Sequence, residues 1–226
     1  MSAHSEPPET NDHPPLAHSN PHGHQVDLEV GLDFVNTRAL SRNGLTDRLA
    51  TADAALHWFR EHGLMHDESL REQLARVTAD PETSERLLQR VHKVRAAMRE
   101  LVDASVDRRT PDPKALDRVN RMLRSPYSYY LVPAPDGVSL DHRHDGDPVE
   151  GALARLVESV AREVSQGHPE RLRICANDEC RWAFNDHSPT GRRKWCDMNT
   201  CGNRAKAARF RERLRAGAAA VGLSKP

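Results

Sequence analysis

Cys175-Ala176-Asn177-Asp178-Glu179-Cys180 and Cys196-Asp197-Met198-Asn199-Thr200-Cys201 carry all four cysteines of the chain, with fifteen residues between the two pairs. Two evenly spaced pairs flanking a hairpin-length insert suit tetrahedral coordination by four thiolates. Soft sulfur donors in that geometry select zinc or iron–sulfur, and iron–sulfur runs usually crowd their cysteines more closely, so one structural Zn²⁺ leads. A disulfide pair would need an oxidising compartment. Unrelated buried cysteines would scatter along the chain. A catalytic zinc would keep a position open, which four thiolates do not leave. Asp186 and His187 lie in the insert but are not needed as ligands once Cys175, Cys180, Cys196 and Cys201 supply the full set.

Working outward, Arg171-Leu172-Arg173-Ile174 reads as a short strand entering the first cysteine. Trp182 and Phe184 alternate in a return strand and are expected to cover one side of the metal. Pro189-Thr190-Gly191 makes the tip of the insert, and Arg192, Arg193, Lys194 and Trp195 lead back to Cys196. A helix is expected from Cys201 to about Arg215, with Gly217 ending it. Knuckle, hairpin and a helix whose first turn carries the last ligand form a treble-clef-like finger. Such a unit is too small for a core of its own, and metal binding supplies folding free energy on the order of 10 kcal/mol in comparable peptides.

On that helix, 100° per residue (the ordinary α-helical step) gathers Ala207, Phe210 and Leu214 into an apolar stripe. Arg204, Arg211 and Arg215 form one flank, and Lys206, Arg209 and Arg213 the other. Only Glu212 opposes them in sign. Two basic flanks, with Arg192, Arg193 and Lys194 on the hairpin return, offer several contacts to nucleic-acid phosphates. The alternative is a basic face that is merely solvated or docks on an acidic body.

Such a body precedes the finger. The formal net charge of the 226 residues is zero, but from Arg171 onward there are 13 Lys/Arg against 5 Asp/Glu, a balance of +8, and the first 170 residues carry −8. Residues 1–24, rich in Pro and His with nothing to bury, are expected to be a disordered tail. They lack the apolar core of a secretory signal, and no apolar run has transmembrane length, so a reducing cytoplasm without membrane contact is expected.

Leu28-Glu29-Val30-Gly31-Leu32-Asp33-Phe34 alternates with the period of a half-buried strand, and Asn36, Thr37 and Arg38 at its exit are candidates for ligand contacts or for holding local backbone. Helices follow: Thr51 to about His62, a second capped by Asp67, a long one from Pro81 to about Val106, and a fourth opened by Pro113 with Leu116, Val119 and Leu123 on one face. Tyr127–Val132 and Gly137–Leu140 flank a Pro135-Asp136-Gly137 turn and read as a hairpin pairing with the Leu28–Phe34 strand. Asp147 and Pro148 start a last helix of the body, broken at Gly167-His168-Pro169. The fold class is α+β: a tail (1–24), a mainly helical domain with a small antiparallel sheet (25–168), the finger and its basic helix (170–216), and a flexible end (217–226).

At Cys196-Asp197-Met198-Asn199-Thr200-Cys201-Gly202-Asn203-Arg204-Ala205-Lys206 the chain resembles the CGNR zinc-finger proteins, and Cys175-x4-Cys180, Phe184, Asp186 and the Arg192–Trp195 run match too. Upstream it resembles the ABATE domain that usually precedes this finger, most clearly at Leu32-Asp33-Phe34-Val35-Asn36-Thr37-Arg38. The resemblance implies a bacterial, stress-induced transcription regulator whose finger binds DNA. Within the motif, Gly202 can bring a backbone amide to a thiolate and Asn203 can bridge backbone in the first helical turn. Arg204 can either bond phosphate or offset the charge of the tetrathiolate.

Three functions follow as expectations. The first is a regulator binding duplex DNA, its helical domain sensing a small molecule or forming a homodimer. The second is an RNA or single-strand binder stacking bases on Trp182, Phe184 or Trp195. The third is an interaction module with the basic helix docked on the acidic domain. An enzyme is not expected, since no nucleophile elbow, phosphate-cradling glycine loop or His-Glu metal motif is present.

Overall fold

Three Asp-Pro dipeptides set out the helical body. Asp80, Asp112 and Asp147 each cap a helix with the carboxylate, accepting from main-chain N–H groups of the first turn, and the following proline takes the position whose N–H would have no partner. In the computed structural model these helices are α4 (Pro81–Val106), α5 (Pro113–Met122) and α6 (Pro148–Gln166). Before them come α1 (Leu28–Asn36), α2 (Ala52–Glu61) and α3 (Asp67–Ala79). The structure describes residues 26–41, 44–134, 137–144 and 146–222. The expectations for residues 1–24 and for the turn residues 42–43 and 135–136 lie outside the described residues.

The long helix α4 is the axis of the body, with α1, α2, α3, α5 and α6 all packed on it. Leu87, Val91, Val94, Met98, Leu101 and Val102 recur every three to four residues, so one face is buried along its length. Each such side chain contributes about 1.5–3 kcal/mol of transfer free energy on leaving water. α6 brings Val149, Leu153, Leu156, Val157 and Val160 to the same core.

Several expectations are corrected. Leu28–Phe34 is not a strand: it lies within α1, whose Asp27 cap accepts from Glu29 N. The buried residues Gly31, Leu32, Phe34, Val35 and Asn36 follow helical spacing, while Leu28 and Val30 are only partly buried. Gly31 is needed because α1 crosses α6 there: a Cβ would sit 2.3 Å from Ser159 Oγ. Among the described residues the hairpin β3 (Tyr127–Ala134) and β4 (Gly137–His144) therefore pairs only with itself. A further two-stranded ribbon, β1 (Arg38–Ser41) with β2 (Gly44–Asp47), follows α1. His66, not Asp67, occupies the cap position of α3. On α5 only Val119 is buried, and Leu116 and Leu123 remain exposed.

A 3₁₀ turn (Pro169–Arg171) leads into the finger hairpin, β5 (Leu172–Ile174) antiparallel to β6 (Ala183–Asn185). Leu172 and Ala183 belong to the body's own core cluster, and the hairpin rests on α1 and α4. The finger is thus built onto the body rather than hung from it. A π-helical turn (Met198–Gly202) precedes α7 (Asn203–Gly222). Helix α7 runs past Gly217, so the helix end expected there is corrected to Gly222. Ala216, Ala218, Ala219 and Ala220 favour the helix there, against a glycine cost of about 1 kcal/mol.

Candidate metal centre and nucleic-acid interface

The hairpin return and the π-turn bring the two cysteine pairs together. The sulfurs of Cys175, Cys180, Cys196 and Cys201 all lie within 4.8 Å of one another, and none is in a disulfide. Zn–S bonds of about 2.3 Å put the sulfurs of a regular tetrahedron about 3.8 Å apart. Here Cys180 and Cys196 Sγ are separated by 3.7 Å, and Cys196 and Cys201 Sγ by 3.9 Å. The donor set thus fits a tetrahedral ion in size as well as in type.

The electrostatics point the same way. Hydrogen bonds from Cys180 and Cys196 pull the Cys175 thiol down to about 2. Serving as donor to Cys175 pushes Cys180 up to about 12 and moves Cys196 upward as well. Thiols this close stabilise one thiolate and oppose the next, and a divalent cation lifts that opposition.

The surrounding loops are held by the finger's own residues. Cys175 N–H donates to Trp182 O and Cys180 N–H to Asn177 O, closing the first knuckle, with Arg181 at φ 54° in the left-handed region. Asn177 Nδ2 donates to Cys201 Sγ at 3.5 Å. The amide of Gly202 goes elsewhere than expected: it donates to Asp197 O and not to a thiolate. Asn203 does bridge backbone, its Nδ2 donating to Asn199 O at 3.1 Å. Asp186 is fully buried, and its carboxylate accepts from Ser188 N and Arg193 N at 3.0 and 2.7 Å. Burial acts to raise its pKa, but bonds from Ser188 and Arg193 outweigh this and hold the carboxyl below the usual range. His187 faces Glu29 at 2.8 Å, so neither residue of the insert is a ligand.

Asn36 has a role that local sequence did not reveal. Its Nδ2 donates to Ala183 O at 2.8 Å and its Oδ1 accepts from Ala183 N at 2.9 Å, joining α1 to β6 across 147 positions. Thr37, also buried, donates to Phe34 O and accepts from Arg95 Nη1. Arg95 in turn makes two bonds to Asp47, at 2.7 and 2.5 Å. Arg38 is exposed. No charge pattern in the sequence singled out Arg95 or Asp47.

Residues 28–167, well over half of the chain, match the ABATE family, described as "Putative stress-induced transcription regulator". This chain belongs to that family. Residues 171–214 match the CGNR zinc finger. Among curated proteins none matches the chain. The four-cysteine site of the CGNR finger holds one structural Zn²⁺, on the strength of both the family and the sulfur geometry.

The basic residues of the CGNR finger divide into two sets. Arg193, expected at the interface, has partners within the finger: its guanidinium donates to Cys196 O and lies 5.2 Å above the Phe184 ring. Arg192 and Lys194 beside it are exposed, as are Lys206, Arg209, Arg211, Arg213 and Arg215 on α7. Arg204 is half-buried at the base of the helix. Among the described residues none of these side chains reaches a carboxylate of the ABATE domain. The main contact of α7 is with the π-turn before it. Phe210 and Leu214, expected as an apolar stripe, are 55% and 58% exposed. Of the aromatic candidates, Phe184 is buried and Trp182 and Trp195 are half-buried. No described helix is long and apolar enough to cross a membrane.

Proposed function

We propose that this protein is a bacterial, cytoplasmic, DNA-binding transcription regulator that acts by binding rather than by catalysis. The CGNR finger and α7 engage the phosphate backbone of duplex DNA, and the ABATE domain senses a small molecule or joins a second copy of the chain. One contrast carries this reading. Nine arginines of the body sit on carboxylates: Arg48, Arg60, Arg86, Arg90, Arg95, Arg99, Arg109, Arg121 and Arg162. Those of α7 have no acidic partner among the described residues, although the body is rich in acids. A docked basic helix would use those acids, so the interaction-module reading loses its main support.

A cluster of exposed, unneutralised guanidinium groups on a metal-anchored rod has the chemistry of phosphate binding. The test is a salt titration of duplex binding by the zinc-loaded chain. Log K is expected to fall with log salt with a slope of about 0.9 per phosphate contacted. Absence of duplex binding at low salt would overturn the proposal. Tighter binding to RNA or single strands in direct competition would transfer it to the half-exposed Trp182 and Trp195 as stacking platforms.

A further inference from the structure

Between the β1–β2 ribbon and α4 lies a cleft of about 440 Å³, walled by Val35, Leu45 and Ala96 and ringed by Arg38, His92, Arg95 and Arg99 with Asp47. Three arginines against Asp47 and the Asp103 that pairs with Arg99 leave a formal excess of one positive charge around it. The cations differ in how they are used. Arg95 is buried, and its bonds to Asp47 and Thr37 neutralise it, so it forms a rigid floor. Arg99 gives its Nε to Asp103 and keeps both Nη groups without a partner among the described residues. Arg38 is exposed and has none at all among them. Leu45 adds an apolar surface that is 58% exposed at the same mouth.

We infer that this cleft binds a small organic acid, its carboxylate held by Arg38 and the Nη groups of Arg99 and its apolar body against Val35, Leu45 and Ala96. Guanidinium forks match a carboxylate in shape and charge. The apolar wall distinguishes such a ligand from a bare anion, and convergent polar groups of this kind fix a bound ligand's orientation. The inference deepens the sensing role proposed for the ABATE domain and rests on that reading. The wall residue Val35 directly precedes Asn36, and the floor residue Arg95 bonds Thr37, so the site borders the segment that clamps the finger.

The test is thermal unfolding of the zinc-loaded full chain with benzoate or hexanoate, at matched ionic strength. Benzamide, hexanamide and inorganic phosphate serve as comparison probes. Either carboxylate is expected to raise Tm by about 3–5 °C at ten times its dissociation constant. The rise is expected to vanish in Arg38→Gln, whose side chain supports nothing else described, and to shrink in Leu45→Glu. No rise with either acid, an equal rise with the amides or with phosphate, or an undiminished rise in Arg38→Gln would overturn the inference. The readout contains no DNA. A chain that ignores DNA yet answers to benzoate would sink the regulator proposal and keep the site, and the converse would sink only the site.

Discussion

The two arms of the zinc finger are held by different things. The β5–β6 hairpin is sunk into the body: Leu172 is 2% and Ala183 1% exposed, and Asn36 grips Ala183 from both sides. Helix α7 leaves the same metal centre and packs chiefly on the turn at its own base. Its direction is set by Cys196, Cys201 and the Asp197 cap that accepts from Thr200 N at 2.7 Å. The body therefore secures one arm and the ion the other. An arm fixed chiefly at its root leaves its arginines without an acidic partner among the described residues.

Removing the metal should break this contrast most visibly. Chelation, or Cys196→Ala, is expected to abolish DNA binding and to release α7 to fast amide exchange, while β5–β6 amides stay protected. Loss of protection in both arms together would show that the ion, and not the body, holds the hairpin.

Replacing Arg204, Arg209 and Arg211 together by Gln tests the free arm alone. Affinity for any duplex should fall, and the salt slope should shrink by about 2.7, at 0.9 for each phosphate that goes unneutralised. Unfolding by urea should stay within about 0.5 kcal/mol of the parent protein, since these side chains have no described acidic partner.

Asn36→Ala tests the other arm. It leaves the N–H and C=O of Ala183 buried and unpaired, which costs about 2–4 kcal/mol. Chemical denaturation of the zinc-loaded variant measures this, and its metal content should be unchanged.

The smallest effect concerns the body's own ion pairs. Glu100 is held down to about 2, first by the hydrogen bond from Arg109 and then by the N–H of Asp112. A depressed carboxyl stabilises the fold above its ordinary value near 4.5, and that stability drains away as pH falls through 4.5 toward 2. With Arg109 43% exposed, solvent screening keeps the contribution small. Glu100→Gln should flatten the stability profile in that window, and added salt should weaken the parent's dependence.

Much of this organisation is legible in the chain. The helix boundaries at Pro81 and Val106 follow from a capping Asp-Pro pair and a long three-to-four spacing, which tertiary context has little power to override. The metal site follows from cysteine spacing alone. The Leu28–Phe34 stretch misled because alternation and helical spacing coincide over so few residues, and the deciding fact is a neighbour: Gly31 lets α1 approach Ser159 and Val160 of α6. Arg193 resembles Arg192 in sequence, and what separates them is tertiary: the Phe184 ring and the carbonyl of Cys196. Asn36 looked like a residue serving its own turn, yet its partner is 147 positions away, beyond any local signal.

The grip on Ala183 has one more effect. A two-stranded ribbon has outward-facing amides and carbonyls that invite a foreign strand to extend the ladder, the usual start of swapping and aggregation. At Ala183 both groups are already spoken for by the carboxamide of Asn36. The side chain stands in for a third strand one residue long, closing that margin of the ribbon to intruders at the position nearest the body.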